Sequence, residues 1–245
     1  MPRRILIEQV HIGEIVLDDR QRHHLRNVLR LQAGTVVEVF DKTGTVGHGI
    51  LQQVSESRVI ICVQSVAEKS QWQTMHLTLA SAIPKAARAD WLIEKCSELD
   101  VDVFIPLQTQ RSVTEPGGKN KFERWQRIAQ EASKQSHRAG VMEIRPLVSL
   151  QKATEELQSR TPIQSGIFLS TQPECPSLIQ LSDELIQKHA THLTAFIGPE
   201  GGWTDEEIAS MQAAGLLGAR LTDTVLRIET AGLATAAIIK SMRIG

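Results

Sequence analysis

Residues 195–207 read AFIGPEGGWTDEE, an apolar run that ends in a glycine-rich turn and leads directly into a helix start. Thr204 is suited to cap that helix, and Glu207 three residues later completes a capping box. Glycines beside the unpaired amides of a helix start allow a small ligand to touch the backbone directly. The stretch therefore predicts a buried strand, a ligand-binding turn and a helix in succession.

The turn from Gly198 to Gly202 does not match the common phosphate-binding motifs. No Gly-Lys-Ser/Thr follows it, and it lacks the Gly-x-Gly-x-x-Gly spacing of dinucleotide-binding folds. An ordinary tight turn between strand and helix is the alternative interpretation. Two residues favour a site: Pro199 stiffens a loop that already has three glycines, and Glu200 places a carboxylate where folding does not require one.

A second candidate element lies downstream in residues 221–231, which read LTDTVLRIETA. Arg227 and Glu229 stand in an apolar stretch just before an Ala-rich helix predicted over 229–242. They either belong to the second half of the ligand-binding site that the glycine-rich turn begins, or form a solvated ion pair at a helix start. In that position Glu229 also suits the helix dipole. The residue pattern leaves both interpretations open.

The first third of the chain has the pattern of a β module. Alternating and β-branched stretches predict three strands, at 35–40, 47–54 and 58–66. Residues 23–31 predict a short helix that Gly34 helps to end. Together these elements predict a compact β-barrel-like module, followed by a polar linker at 67–71.

Beyond this linker the chain alternates between strand and helix patterns, which is typical of parallel βα units. Buried strands are predicted at 76–83, 101–107, 166–170 and 193–198. Amphipathic helices are predicted at 86–99 and 122–138, in addition to the C-terminal one. The sequence thus predicts an α/β fold with a parallel sheet.

The composition limits the functional classes. A formal net charge of -1 excludes a strongly basic nucleic-acid tail but not a local basic face. No apolar run is long enough for a membrane span, and the N-terminus lacks the apolar core of a signal peptide. The cysteines and histidines have no metal-ligand spacing, which predicts no metal site and a reducing cytoplasm.

The Gly-Pro-Glu-Gly-Gly turn followed by LRIETA at 226–231 resembles the signature of the SPOUT methyltransferases, and more closely that of the ribosomal small-subunit methyltransferase E family. The resemblance covers nearly the whole chain. It implies a PUA-like RNA-binding β-barrel over 1–70 and a SPOUT domain over 74–245 whose backbone forms a trefoil knot. It also implies S-adenosylmethionine as methyl donor, a homodimer, and methylation of N3 of uridine 1498 in the 16S rRNA of the 30S subunit.

The cofactor site implied by this resemblance is built from three loops, after Leu169, after Ile197 and around 221–226. Its predicted residues are Leu169, Ser170, Ile197, Gly198, Pro199, Glu200, Gly201, Gly202, Leu221, Leu226, Arg227, Glu229, Thr230 and Ala231. Methyl transfer from a sulfonium is an in-line displacement, so the loops act chiefly by holding donor and acceptor in line.

Catalysis at uracil N3 requires loss of a proton and stabilisation of the charge that spreads onto O2 and O4. Arginine is suited to that electrostatic task, and Arg111, or alternatively Arg227, is predicted to face the flipped base. Glu200 is the candidate proton acceptor. A surface charge at a strand end is the alternative interpretation of Arg111.

Two basic faces predict phosphate contacts, one in the N-terminal module and one along the helix at 122–138. The predicted RNA-binding residues are Arg4, His24, Arg26, Arg30, Lys85, Arg88, Lys95, Arg111, Arg127 and Arg138. Solvated charged surfaces are the alternative interpretation of these residues.

Two other functions of the protein also stay open: ribose 2′-O-methylation of tRNA or rRNA with the same fold, and a catalytically silent RNA-binding assembly protein.

Overall fold

The computed structural model describes residues 3–67, 73–85, 87–112, 119–159 and 165–244. Most of the predicted linker, at 68–71, lies outside these residues. The chain divides into two compact units. The first comprises Met1–Ser70 with Ser133–Val141, and the second comprises Gln71–Ala132 with Met142–Gly245.

The first unit is built on a five-stranded sheet. Its elements are β1 (Arg3–Leu6), β2 (Gly13–Val16), α1 (Asp19–His23), a π-helical turn (His24–Val28), β3 (Val36–Phe40), β4 (Val46–Val54) and β5 (Val59–Val66). The strand order is β1-β3-β4-β5-β2, antiparallel except for the parallel pair of β1 and β3. Val37 and Val39 of β3 are fully buried because alternate side chains of a strand share one face.

The helix predicted over 23–31 is wrong in its boundaries. Asp18 accepts a hydrogen bond from the Gln21 amide, and Gln21 accepts one from the Asp18 amide, so a capping box starts α1 at Asp19. The predicted segment instead spans the end of α1 and the π-helical turn, and stops where Arg30 has a φ of 50°. Strands β1 and β2 have only four residues each, too few for periodicity to indicate them.

The second unit is an α/β domain around a parallel sheet. Its strands are β6 (Gln73–Thr74), β7 (His76–Ala82), β8 (Val103–Gln108), β9 (Glu143–Ile144), β10 (Val148–Ser149), β11 (Ser165–Leu169), β12 (His192–Ile197), β13 (Leu217–Ala219) and β14 (Arg243–Ile244). The helices of this part of the chain are α2 (Ala87–Glu98), α3 (Lys119–Ser136), α4 (Leu150–Gln158), α5 (Leu178–Gln187), α6 (Asp205–Ala213) and α7 (Ile228–Ser241), and the end of α3, from Ser133, belongs to the first unit.

The central sheet has the order β10-β8-β7-β12-β11-β13, with β9 also paired to β8, and every pair is parallel. The carboxyl ends of its strands therefore meet at one edge, the edge where ligands bind in open α/β sheets. The predicted fold class, a parallel-sheet α/β domain with a separate N-terminal β domain, is confirmed. The trefoil knot stays a prediction.

The centre of this sheet is apolar. Leu77 and Leu79 of β7 and Phe196 of β12 are fully buried, as is typical of parallel strands covered on both faces. Helix α2 packs against α7, and Cys96 of α2 is fully buried. This burial also raises the pKa of the Cys96 thiol.

Candidate functional site

The predicted ligand-binding turn joins β12 to α6 at the carboxyl edge of the central sheet. β12 ends at Ile197 and α6 begins at Asp205. The Thr204 hydroxyl accepts a hydrogen bond from the Glu207 amide at 3.2 Å, and the Glu207 carboxylate accepts one from the Thr204 amide at 3.0 Å. The capping box predicted from the sequence is therefore confirmed.

The Trp203 side chain packs against the start of this turn. Its indole lies so close to Gly198 that a Cβ there would stand 2.8 Å from ring atom Cε2. The ring nitrogen donates a hydrogen bond of 2.8 Å to the carbonyl oxygen of Leu169, at the end of β11. One side chain thus ties the end of β11 to the turn after β12, and position 198 requires glycine because any Cβ would clash.

Arg111 contacts the same turn from the loop after β8. Its Nη1 donates to the carbonyl oxygens of Gly201, at 2.9 Å, and of Trp203, at 3.2 Å. The two backbone segments pass so closely that a Cβ on Gly201 would stand 3.3 Å from the Arg111 Cβ. The guanidinium is therefore bound to the turn, although Arg111 as a whole is exposed.

These loops enclose a cavity of about 460 Å³ at the carboxyl edge of the sheet. A volume of this size falls in the range of small-molecule sites, and its apolar walls with a few polar groups are typical of them. Arg111 lines the cavity. The predicted cofactor residues that also line it are Leu169, Ser170, Ile197, Gly198, Pro199, Glu200, Gly201, Gly202, Leu221, Leu226 and Ala231.

The structure places three predicted cofactor residues away from the cavity wall. Helix α7 begins at Ile228, and Ile228 and Ala231 line the cavity because residues three apart share one helix face. Arg227, the residue before α7, and Thr230 are exposed, and Glu229 is buried. The helix geometry thus directs Arg227, Glu229 and Thr230 elsewhere.

Arg88 of α2 links the glycine turn to α7. Its Nη2 lies 3.2 Å from Oε1 of Glu200, and its Nη1 lies 3.4 Å from Oε1 of Glu229. Glu229 is 6% exposed, and its Oε2 has no hydrogen-bond partner within the described residues. The solvated ion pair of Arg227 with Glu229, one of the two interpretations of this helix start, is therefore wrong: Glu229 is buried and pairs with Arg88.

Two predicted RNA-binding residues are inside the first unit, which corrects the predicted basic face. The Arg4 side chain is 3% exposed, pairs with Glu38, and donates to the carbonyl oxygens of Ser133 and Arg138. Arg138 itself is 9% exposed. As placed, neither guanidinium presents its charge to a phosphate, because protein groups surround both.

The remaining predicted RNA-binding residues stay nearer the surface. His24, Arg30 and Lys85 are exposed. Ion pairs with acidic neighbours involve Arg26 with Glu56, Arg127 with Glu123, and Lys95 with Glu94 and Glu98. The hydrogen bonds to Glu94 and Glu98 raise the pKa of Lys95. The uncompensated positive charge is therefore smaller than the sequence alone predicts.

Several residues that line the cavity were missed by sequence reasoning, among them Trp203 and Ile228. An aromatic residue directly after a glycine turn is a signal for a ring that packs under that turn. Ile228 stands at helical spacing from Ala231, which is a signal for a shared face.

The described part of the chain contains no group of three or more His, Cys, Asp or Glu side chains that could hold a metal ion. Within those same residues, no helix combines the length and apolarity that a membrane crossing needs.

Comparison with known families identifies both parts of the chain. Residues 70–240 match the RNA methyltransferase domain, and residues 17–63 match the RNA methyltransferase PUA domain. A Synechocystis protein named ribosomal RNA small subunit methyltransferase E is 31% identical over 96% of this chain and 75% of its own length. The protein of that name from Bacillus subtilis is 30% identical over 86% of this chain and 83% of its own length.

Solved structures give the same relationship. The ribosomal RNA small subunit methyltransferase E from Neisseria gonorrhoeae, bound to S-adenosyl methionine, superposes with a TM-score of 0.84 at 26% identity over 98% of both chains. A methyltransferase from Legionella pneumophila in complex with the same cofactor has a TM-score of 0.81 at 25% identity, again over 98% of both chains.

Proposed function

This chain belongs to the ribosomal RNA small subunit methyltransferase E family, and we propose that it transfers a methyl group from S-adenosylmethionine to a uracil of 16S rRNA. The proposed acceptor atom is N3, and the proposed nucleotide is uridine 1498 in the 30S subunit. The observation that carries this proposal is the cavity at which Arg111 and the glycine turn, from two separate loops, meet.

The residues around the cavity fit the proposed cofactor. Leu169, Ile197, Leu221 and Leu226 supply apolar walls for an adenine ring, and the turn from Gly198 to Gly202 exposes backbone groups beside them. The side-chain-free glycines leave this backbone accessible to a ligand. When bound, the cofactor supplies a methyl group on a positively charged sulfonium. The relatives solved with S-adenosylmethionine support this assignment.

Arg111 is the proposed electrostatic catalyst. Uracil N3 is protonated at neutral pH, and its deprotonated form carries negative charge on O2 and O4. Because Nη1 of Arg111 is already bound to the Gly201 and Trp203 carbonyl oxygens, the guanidinium is oriented before the base arrives. A preoriented charge stabilises a developing anion without reorganisation. Arg227 is a weaker candidate because it does not line the cavity.

Glu200 is the proposed proton acceptor. Its side chain is 39% exposed, and it lines the cavity. Arg88 holds one of its carboxylate oxygens at 3.2 Å, which fixes the position of the carboxylate relative to α2. Within this proposal Arg88 serves to orient Glu200 and not to bind phosphate.

The test uses small ribosomal subunits that lack the modification, labelled S-adenosylmethionine, and mapping of the product nucleotide. We expect label on a uracil base of 16S rRNA with the wild-type protein. Arg111→Ala is expected to lower turnover about 100-fold or more, the usual cost of losing one donor that stabilises a developing anion. The loss is expected to shrink as the pH rises, because uracil N3 then loses its proton more easily.

Arg145→Ala is the matched control, since Arg145 pairs with Glu156 and does not line the cavity. It is expected to leave turnover within about twofold of the wild type. Label on a ribose 2′-oxygen would replace the uracil proposal with the ribose alternative. Cofactor binding without any transfer to RNA would favour the silent assembly protein.

We further propose that the first unit binds the RNA and that the protein acts as a homodimer. His24 and Arg30 are the exposed basic positions of that unit on which the RNA proposal depends. Val225, at the rim of the cavity, is 81% exposed and is an apolar side chain that a partner subunit would cover. Sedimentation of the wild type and of Val225→Asp tests the dimer, which the aspartate is expected to weaken.

A further inference from the structure

The loop that carries Arg111 is a tight turn formed by Thr109–Ser112. The Ser112 amide donates to the Thr109 carbonyl oxygen at 3.2 Å, and the two hydroxyls lie 2.8 Å apart. Such a turn uses the amide of its fourth residue but leaves that of its second residue, Gln110, without a partner inside the turn. This amide is therefore free to bond to an acceptor from elsewhere in the fold, although Gln110 as a whole is exposed.

Glu207 of α6 supplies that acceptor. Its Oε1 accepts a hydrogen bond of 2.9 Å from the Gln110 amide, across 97 residues of sequence, while its Oε2 accepts from the Thr204 amide. Glu207 is only 6% exposed. One carboxylate therefore joins the turn after β8 to the first turn of α6, next to the two carbonyl oxygens that Arg111 binds.

Two other capping boxes among the described residues show why this position holds Glu and not Gln. In α1, Gln21 accepts from the Asp18 amide and uses its own NH₂ to donate to the Leu6 carbonyl oxygen. In α5, Gln180 accepts from Ser177. Glutamine thus closes a capping box adequately in this protein. Only a carboxylate offers two acceptor oxygens, and Glu207 faces two donors.

We infer that Glu207 is a positioning residue, which acts on the reaction by holding the Thr109–Ser112 turn so that Arg111 stays at the cavity. This inference rests on the proposed function for its kinetic consequences only. The hydrogen-bonded tether between Glu207 and Gln110 is independent of what the cavity binds.

Two variants separate the tether from the helix cap. Glu207→Gln keeps an acceptor for the Thr204 amide, but turns an NH₂ toward the Gln110 amide, so the cap survives and the tether breaks. Thr204→Ala removes the hydroxyl that accepts from the Glu207 amide, so the cap weakens while both bonds to the carboxylate remain. The second variant is therefore the matched control for loss of stability.

Amide hydrogen exchange of residues 108–112 tests the tether without any activity measurement. We expect faster exchange at Gln110 in Glu207→Gln, and no comparable change in Thr204→Ala. Thr204→Ala is expected to lower Tm by about 2–4 °C. Unchanged exchange at Gln110 in Glu207→Gln would overturn the inference, even if the protein proved to have no methyltransferase activity.

Kinetics test the positioning role. Glu207→Gln is expected to lower kcat about 10-fold or more, because small displacements of a catalytic group are costly, with a cofactor Kd within about threefold of the wild type. In the Arg111→Ala background the same substitution is expected to cost nothing further, since it acts through Arg111. An equal loss of kcat in both backgrounds, or the same loss in Thr204→Ala, would contradict it.

Discussion

The two edges of the central sheet use charged residues in opposite ways. At the amino edge, Lys240 of α7 is 8% exposed and lies 2.8 Å from Asp102 and 3.5 Å from Asp100, with a further hydrogen bond to the Met75 carbonyl oxygen. At the carboxyl edge, the side-chain hydrogen bonds of Arg111 within the described residues go to backbone oxygens of a turn, and Arg111 lines a cavity.

This difference indicates that charged residues at the amino edge stabilise the fold, whereas those at the carboxyl edge serve the ligand site. A buried cation whose partners are carboxylates belongs to the stability of the fold, and removing it leaves charges unpaired. The guanidinium of Arg111 hydrogen-bonds to neutral carbonyl oxygens, which do not cancel its positive charge, although the Glu206 carboxylate attracts it. Substitutions at the amino edge should therefore change stability, and those at the carboxyl edge should change activity.

The largest expected effect tests the amino edge. Lys240→Met keeps most of the side-chain volume but removes the charge, which is expected to lower the free energy of unfolding by about 2–3 kcal/mol. The two aspartates retain some contact with solvent, which limits the loss. Thermal denaturation measures it, as a Tm lower by about 4–10 °C.

Lys188→Met is the control for this experiment, since Lys188 is 70% exposed and 4.0 Å from Glu184. It is expected to leave Tm within about 1 °C. Turnover of Lys240→Met at a temperature where it is folded should match the wild type. A large loss of turnover would contradict the proposal that the amino edge affects stability and not activity.

A smaller effect is expected from Gly201→Ala at the carboxyl edge. The new Cβ stands 3.3 Å from the Arg111 Cβ, so the arginine has to shift by a few tenths of an ångström. We expect kcat to fall about 10-fold, with little change in Tm. In the Arg111→Ala background the substitution should have no effect on kcat. A weaker cofactor affinity in that background would instead indicate direct contact of the methyl group with the ligand.

The smallest effect is expected from Trp203→Phe, which removes the hydrogen bond to the Leu169 carbonyl oxygen but keeps an aromatic ring under Gly198. A lost hydrogen bond of this kind contributes about 1 kcal/mol, which corresponds to a cofactor Kd about fivefold weaker. Calorimetry measures it. Trp91→Phe, on the partly exposed face of α2, is the control and should bind cofactor as the wild type does.

Local signals in the sequence predicted the parts of the candidate site that depend on neighbouring residues. The capping box of α6 depends on Thr204 and Glu207, three residues apart, and it is present as predicted. The helices expected at 86–99 and 229–242 correspond to α2 and α7 within one or two residues. These features were accessible because helix periodicity and capping act over a single turn.

The roles of single charged residues could not be read in the same way. Arg4 has the sequence context of a basic surface, yet it pairs with Glu38 inside the first unit. For Glu229 the sequence left open a place in the binding site or a solvated ion pair with Arg227, yet it is buried against Arg88 and does not line the cavity. A charge pattern in the sequence indicates only that a residue is polar. The ion-pair partner of that residue depends on which distant element the fold places next to it.

The sequence by itself determined the succession of strand, rigid turn and capped helix, and the parallel α/β architecture that such units form, because these follow from contacts within a few residues. Only the tertiary structure decided that the loops after β8, β11, β12 and β13 meet at one edge, and that the second oxygen of Glu207 reaches Gln110. The order of the strands in the sheet determines which loops and side chains come into contact, and that order depends on the packing of the whole domain.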